Sequence, residues 1–162
     1  MPLLQRQTML ILETPQDLEA HVGKVLGHTD WVEITQEMID DFARISGDRN
    51  WIHIDVERAR RELPDGKTIA HGMLTLSLMS GMGGDVVQVR ERGRGINYGS
   101  NKVRFTAPVQ VGSRIRLERT LLAFERLDDA VRLTYGNHMF REGLDRPVMV
   151  AETLNLMYLK GK

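Results

Sequence analysis

The sequence predicts an α+β domain in which a long antiparallel sheet packs against one buried helix. Two observations carry this expectation. Met73, Leu74, Leu76, Leu78, Met79 and Met82 spread apolar side chains all round one helix, the mark of an element covered on most sides. From Asn97 onward the chain reads instead as successive strands separated by turns, and helices followed by a run of strands argue for α+β.

Each element has a local reason. Residues 1–13 are open between a short strand at Met9–Leu12 and an arm that covers a partner. Thr14-Pro15 reads as an N-cap with proline at the first helical position, helped by Asp17, and Gly23 as the stop after Leu18 and Val22. Residues 27–34 look extended. Thr35 caps the next helix, with Ile34 and Ile39 as a hydrophobic staple; Met38, Ile39, Phe42 and Ala43 form its buried face, and Gly47 ends it.

Residues 51–56 then alternate, with Ile52, Ile54 and Val56 set against Trp51, His53 and Asp55, which predicts an extended segment. Asp55 caps a short helix carrying Val56, Ala59 and Leu63, closed by Pro64-Asp65-Gly66. After the apolar helix comes a charged loop with Arg90, Glu91, Arg92 and Arg94. Strands are expected over Asn97–Phe105, Arg114–Leu127, a segment holding Val131, Leu133 and Tyr135, and Val148–Leu159, joined as a meander.

Composition narrows the function. The 162 residues suit one domain with a real core, 1–162. Apolar residues make up 41% and charged residues 27%, as in ordinary globular proteins. Twenty-two basic residues balance 22 acidic ones, so no electrostatic nucleic-acid partner is expected. With no cysteine, disulfides and thiol catalysis are excluded, in keeping with a cytoplasmic location. Apolar runs are too short for a membrane span, and the N-terminus lacks the order of a signal peptide.

The chemistry gathers in Gly47-Asp48-Arg49-Asn50-Trp51-Ile52-His53-Ile54-Asp55 and Ala70-His71-Gly72-Met73. With the isoleucines facing the core, His53 points toward the space beside Asp48, and a carboxylate with an imidazole can share acid and base work. The Gly72 amide starts the apolar helix, where the dipole favours developing negative charge. Asn50 fixes the turn by its side chain, and His71 is structural or a wall of the site. The histidines and carboxylates have no metal-ligand spacing, so no metal is expected. Gly93-x-Gly95-x-x-x-Gly99 lacks the strand-to-helix context of a nucleotide loop. The methionines of the apolar helix pack the core and also suit an acyl tunnel.

These two motifs, with Asn97-Tyr98-Gly99 leading to Lys102-Val103-Arg104-Phe105-Thr106-Ala107-Pro108, resemble the MaoC-like (R)-specific enoyl-CoA hydratases, nearest in flavour to the NodN-like branch. The resemblance spans residues 28–160. Trp51 departs from it, since many members carry proline after the asparagine; the change is expected to affect the turn or pocket wall. The resemblance implies a hot-dog fold and a homodimer. It implies a hydro-lyase that reversibly hydrates a trans-2-enoyl-CoA, with Asp48 and His53 as the catalytic dyad, Gly72 as oxyanion donor, and Asn50 beside the substrate. Ser80 matches a family serine in the site region, although a helix serine can equally bond its own backbone. No metal, redox or organic cofactor is needed; coenzyme A enters within the substrate. The arginines of 90–94 are solvated, or reach its nucleotide phosphates. A dehydratase acting on an acyl-carrier protein, an acyl-CoA thioesterase and a non-catalytic acyl-binding subunit remain open.

Overall fold

The structure, a computed structural model, describes residues 9–161. The first eight positions of the expected arm therefore lie outside the described residues. Its end, Leu10–Leu12, is strand β1. A 3₁₀ turn at Pro15–His21 follows, opened by a reciprocal capping box between Thr14 and Asp17. It buries Leu18 fully but leaves Val22 exposed, so the expected stripe reduces to one side chain.

Strands β2 (Val25–His28) and β3 (Val32–Glu33) lead to helix α1, Gln36–Ser46. The Thr35 hydroxyl accepts the Met38 amide at 3.2 Å, and Gly47 takes a left-handed φ of 80° at the other end. Ile34 and Ile39 are both fully buried, as a staple requires.

The stretch after Gly47 is not extended. Trp51–Ile54 form a single helical turn, α2, and Val56–Glu62 form α3. Asn50 Oδ1 accepts the Ile52 amide at 3.4 Å to start α2, and Asp55 Oδ1 accepts the Arg58 amide at 2.9 Å to start α3. Side-chain caps on both sides outweigh the β-branched alternation that suggested a strand. The consequence is inverted burial: His53 is buried, whereas Ile52 and Ile54 are only half-buried. Trp51 occupies the first position of α2, where proline is favoured in any helix, so the departure from the family pattern is conservative for the backbone. Its ring lies under the Arg58 guanidinium, 4.1 Å away.

Helix α4, Gly72–Met82, lies against the inner face of a six-stranded sheet. Leu74, Met79 and Met82 join the same core as Leu117, Leu121, Leu133, Met139 and Met149. It is not covered on most sides, however: Met73 is 55% exposed, and Ser77 and Ser80 are exposed with it. All-round apolarity records that a helix carries enough apolar surface; which face the sheet covers is decided by the sheet.

The charged loop is shorter than expected. Val87–Val89 form β4, which pairs in parallel with β1, and β5 already begins at Arg92 and runs to Phe105. Gly93, Gly95 and Gly99 thus lie within a strand, with register shifts around them. Strands β6 (Arg114–Arg126), β7 (Ala130–Arg141) and β8 (Met149–Leu159) form a meander, but β5 pairs with β8 on the far side, giving the order β2-β6-β7-β8-β5. As an edge strand with mostly exposed side chains, β5 tolerates the charges that suggested a loop. A long antiparallel sheet curled about one helix is the expected hot-dog architecture. Among the described residues, no helix is long and apolar enough to cross a membrane.

Candidate active site

Three separate segments meet at the start of α4. The turn after α1 brings Asp48, the single turn α2 brings His53, and the N-cap of α4 is His71. Their ligand-type atoms all lie within 4.8 Å of one another. The Asp48 carboxylate is exposed, and one of its oxygens accepts the Asn50 amide at 3.2 Å, so the side chain is held by its own turn. Asn50 acts next along the same turn as the cap of α2, the turn-fixing role expected of it.

The tautomer of His53 follows from its partner. Nδ1 sits 2.6 Å from the Ile69 carbonyl oxygen, which can only accept, so Nδ1 carries the proton and Nε2 keeps its lone pair. Burial is the main influence on this imidazole and holds its pKa below the ordinary 6.5; the Ile69 bond and the Asp48 charge oppose it, while His71 adds to it. His53 is therefore neutral at pH 7, with Nε2 available as a base.

His71 is more than a wall. Its Nε2 donates to the Asp48 backbone carbonyl at 2.9 Å, its ring stacks on His53 with centroids 3.8 Å apart, and Phe42 packs against it at 5.1 Å. Its Nδ1 is buried and has no hydrogen-bond partner among the described residues. The spacing of these residues in the chain suggested no metal site, yet folding collects Asp48, His53 and His71 as the one trio of possible metal ligands among the described residues.

His53 and Gly72 line a common cavity of about 340 Å³, walled otherwise by apolar residues such as Ile69, Phe105 and Val109, with Thr75 one turn into α4. Among the described residues no acceptor takes the Gly72 amide, the first of the helix. A Cβ there would fall 2.8 Å from the Phe105 ring, so glycine keeps the cavity open beside that amide.

Ser80 is not brought to this point. It lies eight residues further along α4, roughly 12 Å by helical rise, where its Oγ accepts from Asn97 Nδ2 at 3.3 Å and lines a different cavity. One residue the motif reading passed over stands there too. Arg119 is buried on the inner face of β6, as continuing the Ile115, Leu117 alternation would have indicated. His71 carried no comparable signal, because its stacking partner comes from a helix that the pattern read as a strand.

Comparison with known proteins gives the family and the fold. A model of the MaoC-like domain matches residues 17–138. The 3-hydroxyacyl-thioester dehydratase Z of Mycobacterium tuberculosis is 44% identical over 147 residues, covering 90% of this chain and 97% of that protein. Nodulation protein N of Rhizobium leguminosarum bv. viciae is 39% identical over 144 residues, 87% of this chain and 89% of that one. Among solved structures, an unliganded (R)-hydratase from Pseudomonas aeruginosa superposes with a TM-score of 0.68 at 28% identity, covering 86% of this chain and 82% of that chain. The (R)-hydratase of A. caviae involved in PHA biosynthesis gives 0.66 at 27% identity, covering 83% and 94%.

Proposed function

The chain belongs to the MaoC-like domain family, and from that premise we propose that it adds water reversibly to a trans-2-enoyl-CoA, giving the (R)-3-hydroxyacyl-CoA. It is a hydro-lyase, as its hydratase and dehydratase relatives are. The observation that carries the finer reading is the pairing of a neutral His53, its Nε2 lone pair left free, with an unbonded Gly72 amide on one cavity, and Asp48 within 4.8 Å.

In this mechanism one water is held between the Asp48 carboxylate and His53 Nε2. The dyad takes a proton from the water as its oxygen bonds to the β-carbon. Charge moves onto the thioester oxygen, where the Gly72 amide and the positive end of α4 stabilise the enolate. The proton held by the dyad then passes to the α-carbon, so the sum is one water added. Only water and protons move, and the reaction calls on no metal, redox or organic cofactor. Asn50 acts by holding the dyad's turn.

The dehydratase relative supports the reverse direction through the same steps, and exchanging coenzyme A for an acyl-carrier protein changes no residue's role. A homodimer belongs to the reading, since among the described residues β5 leaves an unpaired sheet edge and Met73 an exposed apolar side chain; a monomeric mass in solution contradicts that part.

The test follows loss of enoyl-thioester absorbance with crotonyl-CoA and a longer trans-2-enoyl-CoA, and the chirality of the product. Rapid loss yielding the (R)-alcohol, strongly slowed in Asp48→Asn, is the expected result. Release of free coenzyme A identifies a thioesterase instead. No turnover by folded protein, on either carrier, overturns the reading.

A further inference from the structure

Arg119 occupies a position built for an apolar side chain. Along β6 the inward residues are Ile115, Leu117, Arg119 and Leu121; the three apolar ones are fully buried, and Arg119 is only 9% exposed. A guanidinium stays protonated even when burial lowers its pKa, so the cation is real. Left without a counter-charge, a buried cation is strongly unfavourable.

Among the described residues, none supplies that charge. No carboxylate pairs with Arg119. Its Nε donates to Asn137 Oδ1 at 2.8 Å, and neither Nη meets an acceptor. The ring of Tyr135 lies 4.7 Å away, but burial pushes that phenol up to about 12, so it is neutral. The carbonyl end of α4 offsets part of the charge, roughly half a unit at most.

The surroundings hold the guanidinium in place and leave room in front of it. Asn137 is itself fixed by Thr153 Oγ1 at 3.0 Å and by the carbonyls of Tyr135 and Ala151. A Cβ at Gly83 would collide with the guanidinium, so the glycine makes its berth. A cavity of about 290 Å³ opens beside it, with Ser80, Asn97 and Asn155 on the wall and no acidic residue in the lining. Asn155 donates to Asn97 Oδ1 at 2.8 Å and Asn97 to Ser80 Oγ, which leaves the serine hydrogen free to donate into the space. Leu76 and Met79 supply the apolar part of the lining.

We propose that this cavity is a carboxylate-binding subsite, in which Arg119 and Ser80 receive the far end of an acyl chain that carries a terminal carboxylate. The assignment rests on the hydratase reading above. Ser80 lies roughly 12 Å along α4 from Gly72, so a chain held by its thioester at Gly72 and lying along this helix ends in the Arg119 cavity. A planar carboxylate matches the unused fork of the guanidinium with two parallel bonds. The expected substrate class is thus enoyl thioesters of dicarboxylic acids rather than simple fatty acyl chains.

The deciding experiment compares kcat/KM for trans-2-decenoyl-CoA and for the same thioester bearing an ω-carboxylate, in the wild-type chain and in Arg119→Met and Arg119→Lys. The expected result is at least a tenfold preference for the charged tail, reversed in Arg119→Met and partly kept in Arg119→Lys. Absence of preference in the wild type, or a preference untouched by Arg119→Met, overturns the subsite. Should Arg119→Met fail to fold, the wild-type ratio and Arg119→Lys decide.

A second arm separates this proposal from the reading it rests on. Thermal shifts are measured with decanedioate, 1,10-decanediol and inorganic phosphate. If no thioester is hydrated, a shift with decanedioate alone that Arg119→Lys weakens keeps the subsite while the hydratase reading falls. Equal shifts with phosphate assign the cavity to a free oxyanion and overturn the acyl-tail assignment, and so does no shift at all. Turnover of both thioesters at equal kcat/KM keeps the hydratase and removes the subsite.

Discussion

The imidazoles of His53 and His71 stack with their centroids 3.8 Å apart and their planes inclined by 25°. Each ring donates one N–H to a backbone carbonyl, His53 to Ile69 and His71 to Asp48. The stack therefore ties His53 to the loop that carries Asp48. The His71 ring adds to the burial that holds the His53 pKa below its ordinary value.

Replacing His71 separates its two contributions. His71→Phe keeps a ring against His53 but loses the hydrogen bond to the Asp48 carbonyl, worth about 0.5–1.5 kcal/mol. The expected outcome is a lower denaturation midpoint with kcat reduced and KM little changed. An unchanged kcat in a folded variant removes His71 from any positioning role.

Asp48→Asn keeps an oxygen for the Asn50 amide and loses the charge. Its turnover is expected to fall by on the order of 10²- to 10⁴-fold, the usual range for a lost acid–base group, with an unaltered melting temperature. Ser80→Ala, remote from the dyad, is expected to cost crotonyl-CoA turnover far less. Equal losses in the two folded variants contradict this ranking.

The pH response follows from the lowered pKa of His53. Below the ordinary value of 6.5 the unfolded chain takes up a proton at this residue before the folded chain does. Stability from this group is thus fully present above that value and is lost as pH falls through the lower folded value. The acid limb of kcat/KM, where His53 takes up a proton and is lost as a base, should likewise lie below pH 6.5. Denaturant titrations of wild type and His53→Gln across pH 4 to 8, the span in which imidazoles titrate, check this; identical pH slopes in the two proteins refute it.

Asn50→Ala removes the cap of α2. The expected stability loss is about 1 kcal/mol. A larger effect is expected on kcat, because the turn that aims His53 loses its start. Chemical denaturation and turnover measured on one preparation distinguish the two; stability loss without any loss of kcat would show that α2 is held by packing alone.

Gly72→Ala brings a methyl against the Phe105 ring, which is half exposed. The fold should survive. Turnover should fall by about 10²-fold, the scale on which small misplacements at a reacting centre act. Wild-type rates in this variant refute the amide's proposed role.

Much of this protein was decided locally. Thr35, Gly47, Asp55 and Gly66 set helix ends through caps and left-handed turns that need no distant partner, and the alternation of β6 and β7 set their inward faces. Asp48, Asn50, His53 and Gly72 were legible as candidates because they sit in two short motifs of the chain. The tertiary structure decided what depends on residues far apart. Whether residues 51–54 alternate as a strand or wind as a turn rested on caps competing with β-branched propensity, and the capped turn buried the histidine instead of the isoleucines. The position of β5 beyond β8, the open face of α4 and the stacking of His71 on His53 came from sheet closure, which pattern and composition do not encode. The Arg119 cavity joins both kinds of information: the side chain's inward direction is periodic and local, but only packing beside Gly83 and Ser80 reveals that no acidic group among the described residues answers its charge.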